Sequence, residues 1–178
     1  MKRHVEIPDD VEVVVDSGIL KAKCGDKEVV NNLTHPLIDL TKEGKKILIE
    51  PKKENAKLAS ITKTFESKIK NAITGVREGF EYKLKVVYKH FPMEVNVNGD
   101  RLVVSNFLGE KKDREAKILD SVDVKVEDED VIVSGPDKEK VGQTAANIER
   151  NMQSPNEKDR RVFEDGLYIV QKPSKEEN

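Results

Sequence analysis

The sequence predicts an α+β fold made of two duplicated domains, each an antiparallel sheet covered by one helix. The first observation is a repeat: "KILIEPKKENAKLASITKTF" from Lys46 resembles "DVIVSGPDKEKVGQTAANIE" from Asp130. The offset, roughly 85 residues, is long enough for each copy to bury its own apolar face, which indicates a duplicated domain rather than a solenoid. The second observation is that alternating apolar residues precede a helical apolar spacing in both copies.

The first copy begins with a strand meander. Apolar residues alternate from Val11 to Val15, and turn residues at 16–18 and 25–26 separate two further short strands. Helical spacing follows Pro51, and a closing strand is predicted from Gly79 to Tyr88. The apolar stripe of this first helix is Leu58, Ile61, Phe65, Ile69 and Ala72.

The second copy repeats this order. Apolar residues alternate from Met93 to Val97, and Asn98-Gly99 predicts a hairpin turn because both residues tolerate positive φ. Strands are predicted at 102–105 and 116–119, on either side of a charged loop at 109–115, and a closing strand at 166–170. The stripe of the second helix is Val141, Ala145, Ile148 and Met152. We therefore expect one domain at 1–82 and another at 83–178, with a frayed tail from Lys172 to Asn178.

Composition predicts small aliphatic cores. The 178 residues are 37% charged and only 4% aromatic, with no Trp, so the interior must consist of Val, Ile and Leu. No apolar stretch reaches membrane-spanning length, and no signal-peptide core follows the first residues. The single cysteine, Cys24, excludes an internal disulfide framework. These features favour a cytoplasmic protein without a membrane partner.

The net charge of −2 conceals an uneven distribution. Lys52 to Lys89 holds ten Lys and Arg residues against four acids, whereas Asp120 to Asp130 holds six acids and a single base, Lys125. Basic and acidic faces are therefore expected on the same molecule. We interpret the acidic strip from 120 to 130 as solvent-facing, or as a patch kept away from phosphate by repulsion.

The sequence shows no catalytic or metal-binding constellation. His4, His35 and His90 are scattered, and no histidine accompanies Cys24 as a base. The segment Gly44-Lys45-Lys46 lacks the remaining residues of a phosphate-binding loop. We expect no enzyme activity, no cofactor and no metal site.

The segment "GPDKEKVGQTAAN" from Gly135 to Asn147 has the features of a contact surface. Lys138 and Lys140 oppose the helix dipole in the first turn, an arrangement that a docked phosphate would stabilise. Gly142 lowers helix propensity, which close approach of another backbone would explain. Alternatively, Gly142 packs against the sheet and the lysines are solvated, and the residues alone favour neither interpretation.

This segment, together with "KDRRVFEDGLYI" downstream, closely resembles the C-terminal signature of the large-subunit ribosomal protein six (L-six) family in its archaeal form. The resemblance extends over essentially the whole chain. It implies a structural constituent of the large ribosomal subunit that acts in translation and binds 23S rRNA near the sarcin–ricin loop and the site of the translational GTPases. It further implies neighbouring ribosomal proteins as partners and a monomer within a cytoplasmic ribosome.

The resemblance also implies which residues face rRNA, chiefly in the C-terminal domain. They are Lys138, Lys140, Gly142, Gln143, Thr144, Asn147, Lys158, Arg160 and Arg161. In the first copy we place Lys57-Leu58 opposite Gly142-Gln143, so the first helix is expected to have kept its packing role and lost the contact. The alternative function is a tandem protein-binding module with no nucleic-acid role, which would present a sheet edge or a helix face.

Overall fold

The structure is a computed structural model that describes residues 2–53, 55–154 and 162–173. The chain divides into two compact units. Unit 1 comprises Met1–Gly79 and Pro136–Lys138, and unit 2 comprises Phe80–Gly135 and Glu139–Asn178. Each unit combines antiparallel strands with one packed helix, so the predicted α+β class is confirmed.

In unit 1, six strands precede a long helix and form two sheets rather than one. The strands are β1 Arg3–Glu6, β2 Glu12–Asp16, β3 Ile19–Cys24, β4 Lys27–Asn32, β5 Ile38–Glu43 and β6 Lys46–Pro51, followed by helix α1, Ala56–Arg77. One sheet has the order β2-β3-β4 and the other the order β1-β6-β5. The side chain of Asn55 starts α1 by accepting a hydrogen bond from the Leu58 amide at 2.7 Å.

Unit 2 has the same two-sheet plan with one more strand. Its elements are β7 Phe80–Val87, β8 Glu94–Asn98, β9 Arg101–Ser105, β10 Arg114–Lys117, β11 Asp123–Glu127, β12 Asp130–Gly135, helix α2 Lys138–Asn151, and β13 Gly166–Gln171. The sheets have the orders β10-β9-β8 and β11-β12-β7-β13. The predicted hairpin joins β8 to β9, but Gly99 has positive φ and Asn98 does not, because Asn98 still pairs with Arg101.

The strand predicted to close the first domain instead opens the second unit. β7 lies between β12 and β13, with Val131 opposite Leu84 on one side and Gly166 opposite Val87 on the other. β7 therefore corresponds to β1, which pairs with β6 in the same antiparallel way. The strand pattern of β7 was predicted from the sequence, whereas its partners β12 and β13 were not, because a strand's partner depends on distant residues.

Each unit has its own aliphatic core. In unit 1, Leu20, Ile47 and Ile49 of the sheets pack with Leu58 and Ile69 of α1, all essentially inaccessible to solvent. In unit 2, Leu84, Leu102, Val131 and Val133 pack with Val141, Ala145 and Ile148 of α2 around one aromatic side chain, Phe107. Burial of one face of each helix leaves the opposite face available for contacts.

Candidate nucleic-acid interface

Helix α2 has a buried side and an outer side. Val141, Thr144, Ala145 and Ile148 are buried; on the outer side Glu139 is exposed, and positions 140, 143, 147 and 150 follow one another at helical spacing. Residues three and four apart are neighbours on a helix surface, so these four form a continuous row. We call Lys140, Gln143, Asn147 and Arg150 the α2 stripe.

Three members of the α2 stripe were predicted from the sequence. Lys140 and Gln143 are exposed and Asn147 is half-buried. The Gln143 side-chain amide donates a hydrogen bond to the Asn147 side-chain oxygen at 2.9 Å, which orients both groups. The Gln143 oxygen and the Asn147 amide remain available as acceptor and donor, a combination that suits ribose hydroxyls and base edges.

Arg150 is a candidate that the sequence prediction missed. It is exposed in the last turn of α2 and has no ion-pair partner within the described ranges. The spacing Lys140, Gln143, Asn147, Arg150 follows the helical repeat, so extending the row by one turn would have identified it. A guanidinium at this position can bind two phosphate oxygens at once.

Thr144 lies on the packed side of α2 and not on the stripe. Its side chain is completely buried, and its hydroxyl oxygen accepts a hydrogen bond from the Leu119 amide at 3.3 Å. Helix periodicity causes this placement, because Thr144 stands three residues from the core residue Val141. We therefore leave Thr144 out of the proposed contact set.

Gly142 is approached from within the chain. A Cβ atom added at Gly142 would lie 3.1 Å from the Tyr82 hydroxyl oxygen of β7, closer than about nine in ten real Cβ contacts. Glycine at this position therefore allows α2 to pack closely on the sheet, which was the packing alternative left open by the sequence. Gly135, at the turn into the helix, is similar, because an added Cβ would lie 2.7 Å from the Ser121 carbonyl oxygen.

The remaining predicted cations differ in how far the structure describes them. Lys138, the first residue of α2, is half-buried, and both Lys138 and Lys140 also take part in polar or electrostatic interactions within the chain. Lys158, Arg160 and Arg161 lie outside the described residues. For these three, as for the other predicted residues, the rRNA contact stays a prediction.

The end of the downstream motif is an internal anchor. The Asp165 carboxylate is fully buried, and it accepts hydrogen bonds from the Lys89 amide at 3.1 Å, the His90 amide at 3.3 Å and the His90 ring at 2.8 Å. Burial alone would raise the pKa of Asp165, but the His90 and Lys89 hydrogen bonds outweigh it and hold that pKa below its usual value. Asp165 thus fixes the segment after β7 against the start of β13.

The outer face of α1 differs from that of α2. Leu58 is buried, and when the buried residues of the two helices are matched, Leu58 is equivalent to Val141. The sequence alignment that paired Leu58 with Gln143 was therefore wrong by two positions, and Ser60 is the counterpart of Gln143. The α1 positions equivalent to the four residues of the α2 stripe carry, in the same order, Lys57, Ser60, Thr64 and Ser67.

The acidic strip lies mostly at exposed positions, as predicted. Two of its acids are paired with β7: Asp130 with Lys83 at 2.8 Å, and Glu129 with Lys85 at 3.8 Å. Among the residues that the structure describes, no group of three His, Cys, Asp or Glu side chains could hold a metal ion. Within the same ranges, no helix is long and apolar enough to cross a membrane.

Comparison with known proteins connects this fold to one family. A family model described as "Ribosomal protein L6" matches residues 91–166, which include α2. The chain is 46% identical over 172 residues to the "Large ribosomal subunit protein uL6" of Haloarcula marismortui, with 97% of this chain and 96% of the relative covered. The protein of the same name from Halobacterium salinarum is equally similar, and that of Methanococcus vannielii is 44% identical over 178 residues.

Proposed function

The chain belongs to the ribosomal protein L6 family, and from this premise we propose that unit 2 binds large-subunit (23S) rRNA through the outer face of α2. The chain is a structural protein of the large ribosomal subunit and not an enzyme. Its partners are rRNA and neighbouring ribosomal proteins. The proposed site on the rRNA lies near the sarcin–ricin loop, where translational GTPases act.

The observation that supports this proposal is the α2 stripe. Its two ends are cationic, Lys140 and Arg150, and its middle is an amide pair, Gln143 and Asn147, held in one orientation by their mutual hydrogen bond. Cations neutralise phosphates, while side-chain amides bind 2′-hydroxyls and exposed base edges. This order of charges and amides along one helix face suits the shallow minor groove of an RNA helix.

Lys138 and the cations Lys158, Arg160 and Arg161 complete the proposed contact set. Lysines act as point charges toward phosphates, whereas each guanidinium can bind two oxygens. Recognition of this kind depends on RNA shape and backbone position more than on base sequence. That is the property required of a protein that occupies one place in a fixed RNA architecture.

The test compares two variants that remove equal charge from the two helices. Lys140→Ala with Arg150→Ala removes the ends of the α2 stripe, and Lys57→Ala with Lys63→Ala removes two exposed lysines of α1 as the matched control. Affinity for a 23S rRNA transcript is measured at several salt concentrations between about 50 and 200 mM. The α2 variant should bind roughly tenfold more weakly, and its salt slope should be smaller by about 2, since each lost phosphate contact lowers the slope by about 1.

Location is tested by hydroxyl-radical footprinting of the same complex. The wild-type protein should protect the sarcin–ricin region, and the α2 variant should lose part of that protection. Equal binding by the α2 variant and its control would refute the role of the stripe. A protein-binding module without a nucleic-acid role predicts no salt-dependent rRNA binding at all, and no co-migration with large subunits in a sucrose gradient.

A further inference from the structure

The loop before β10 has an unusual backbone conformation. Asn106 has φ 58°, Leu108 has φ 48° with ψ 30°, and Gly109 has φ 75°, so three of four consecutive residues adopt positive φ. A left-handed conformation is unfavourable for a residue such as leucine, because its Cβ approaches the following carbonyl oxygen. Such a conformation persists only when surrounding contacts enforce it, and it is found most often at functional sites.

Arg114 supplies those contacts. Its Nε and Nη2 atoms donate to the two carboxylate oxygens of Glu110 at 2.8 and 2.6 Å, and the guanidinium lies 3.9 Å from the ring centre of the buried Phe107. Its Nη1 atom donates to the backbone carbonyls of Asn151 at 3.1 Å and Gln153 at 2.8 Å. Arg114 thus joins both ends of the loop to the C-terminal end of α2.

Further contacts hold the loop from its other side. The Asn106 side-chain amide donates to the Pro92 carbonyl at 3.0 Å, and a Cβ atom added at Gly109 would lie 3.4 Å from the Phe91 ring. The Asn151 side-chain amide donates to the Glu115 carbonyl at 3.2 Å, beside the carbonyl contacts of Arg114. The loop is therefore held in one position relative to α2 before any ligand arrives.

This rigid loop presents two adjacent lysines. Lys111 and Lys112 are exposed, and neither forms an ion pair within the part of the chain that the structure describes. The nearest acid in sequence on the N-terminal side, Glu110, has both of its carboxylate oxygens bound by Arg114. By contrast, Lys83, Lys85 and Lys89 of the same unit are each paired with a carboxylate.

The loop also lies at the end of the α2 stripe. Arg150 immediately precedes Asn151, whose carbonyl is bound by Arg114, so Arg150 and the loop are at the same end of the helix. The α2 stripe, which has a cation at each end, therefore has the two lysines of the loop at the same end of the helix as Arg150. Cations arranged along one line suit a nucleic-acid backbone, because its phosphates also follow a line.

We propose that the loop Gly109–Asp113 is a second contact for the phosphates of rRNA, through Lys111 and Lys112, and that it continues the surface of the α2 stripe. This inference rests on the proposed function of α2. The Arg114 contacts preorganise the loop, so less conformational entropy is lost when the lysines bind phosphate. Two neighbouring ammonium groups that repel each other in the free protein are stabilised when a polyanion neutralises both.

The test removes the two loop lysines and compares them with two lysines elsewhere in unit 2. Lys111→Ala with Lys112→Ala is the loop variant, and Lys125→Ala with Lys172→Ala is the matched control, since both controls are exposed and unpaired in the described residues. Affinity for the 23S rRNA transcript should fall roughly tenfold in the loop variant, with a salt slope smaller by about 2. The control should stay within about twofold of the wild type. In footprinting, the loop variant should lose protection at nucleotides that the α2 variant still protects.

The outcomes separate this inference from the proposed function. If the wild-type protein binds and the α2 variant is weakened, but the loop variant binds like its control, the loop contact is refuted while the function of α2 stands. If the wild-type protein does not bind rRNA, both proposals fail. Folding is checked through tyrosine fluorescence, because Tyr82, Tyr88 and Tyr168, the three tyrosines of the chain, all belong to unit 2.

Discussion

The two helices pack alike and present different outer faces. On α1, the hydroxyls of Thr64 and Ser67 donate hydrogen bonds back to the carbonyls of Ser60 and Lys63, each at 3.1 Å. On α2, the corresponding positions carry Asn147 and Arg150, and Arg150 is unpaired among the described residues. The hydroxyls of Thr64 and Ser67 are thus satisfied by the backbone of α1, whereas the longer side chains at the equivalent positions of α2 extend beyond the backbone of their helix.

This difference shows how a duplicated unit can divide its tasks. The core positions of both helices remained apolar or small, because each helix still covers its own sheets. Only the face that does not pack was free to change. A change of residues on one helix face would therefore account for the proposed rRNA contact of unit 2 and for the lack of a proposed contact on α1.

The units also differ in their buried polar groups. Unit 2 contains the buried Asp165 carboxylate, which ties the segment after β7 to the start of β13. The Lys89 side chain adds an exposed ion pair with Glu164 in the same region. The described part of unit 1 has no buried carboxylate, and its buried polar side chain is Thr62. The contribution of the buried Asp165 charge to the stability of unit 2 should therefore be measurable, with unit 1 as the comparison.

The largest expected effect is that of Asp165→Asn. The substitution weakens hydrogen bonds to a buried charge, and it should lower the free energy of unfolding of unit 2 by about 2–3 kcal/mol at neutral pH. Because the pKa of Asp165 is lowered by folding, this stabilisation is present above the pKa of the unfolded chain and is lost as pH falls through the folded value. The wild type and the variant should therefore converge in stability at acidic pH, below about 4.

Urea unfolding followed by tyrosine fluorescence measures this effect in unit 2 alone. Asp120→Asn removes the same charge from an exposed position and serves as the control. The buried carboxylate would have no stabilising role if both variants unfolded at the same urea concentration at neutral pH. A difference that persisted unchanged into acid would contradict the titration of Asp165.

An intermediate effect is expected from the two buried threonines. Thr144→Val leaves the Leu119 amide without its acceptor, and should destabilise unit 2 by about 1–2 kcal/mol. Thr62→Val removes a hydroxyl donor to the Leu58 carbonyl, four residues earlier in α1. A hydrogen bond of this kind adds little to the stability of a helix, so the substitution should be nearly neutral in unit 1. Urea unfolding by tyrosine fluorescence and by circular dichroism measures the two changes.

The same pair of variants tests whether Thr144 acts in packing or contacts rRNA. If Thr144 acts only in packing, the folded Thr144→Val protein should bind 23S rRNA as tightly as the wild type. A loss of affinity without a loss of stability would return Thr144 to the rRNA-contacting set. A greater destabilisation by Thr62→Val than by Thr144→Val would contradict the hydrogen-bond argument.

The smallest effect is expected when the α2 stripe is copied onto α1. Ser60→Gln, Thr64→Asn and Ser67→Arg, beside Lys57, reproduce the residues of the stripe at exposed positions. Stability should change by less than about 0.5 kcal/mol, and rRNA affinity should rise no more than about threefold, because only one cation is added. The affinity measurement described for the α2 variant is repeated for this triple variant.

The control for the copied stripe is the same triple substitution in the Lys140→Ala, Arg150→Ala background. Binding should not be restored there, since the contact requires the face of α2. Full recovery would mean that a cationic face on either helix is enough for rRNA binding. The difference between α1 and α2 would then not explain where rRNA binds.

The features that the sequence predicted well are those set by local spacing. The stripe from Leu58 to Ala72 and the stripe from Val141 to Met152 both became buried helix faces, because a repeat of three and four residues leaves one side apolar. Lys140, Gln143 and Asn147 were placed in the rRNA-facing set by resemblance to the family. The structure has Lys140 and Gln143 exposed and Asn147 half-buried, and their contact with rRNA stays a prediction. Arg150 follows the same rule and was missed because the prediction stopped one turn early.

The features that the sequence predicted poorly depend on which distant residues meet. The closing strand of the first domain was recognised as a strand, but its partners β12 and β13 begin about 40 and 80 residues later. Gly142 gave a clear departure from helix propensity, and only the position of Tyr82 showed what the glycine accommodates. Thr144 was placed in the rRNA-facing set by resemblance to the family, and only the packing of α2 showed that its side chain is buried.

By itself, the sequence determined the duplication, the α+β class, the aliphatic cores and the family, since all of these are carried by periodicity, composition and shared motifs along the chain. Only the tertiary structure decided that β7 opens unit 2, that Asp165 is a buried anchor, and that Arg114 ties the lysine loop to the end of α2. The physical reason is the range of the interactions. Helix faces follow from neighbours three and four residues away, whereas strand pairing, buried charge and long-range hydrogen bonds require residues that meet only when the chain folds.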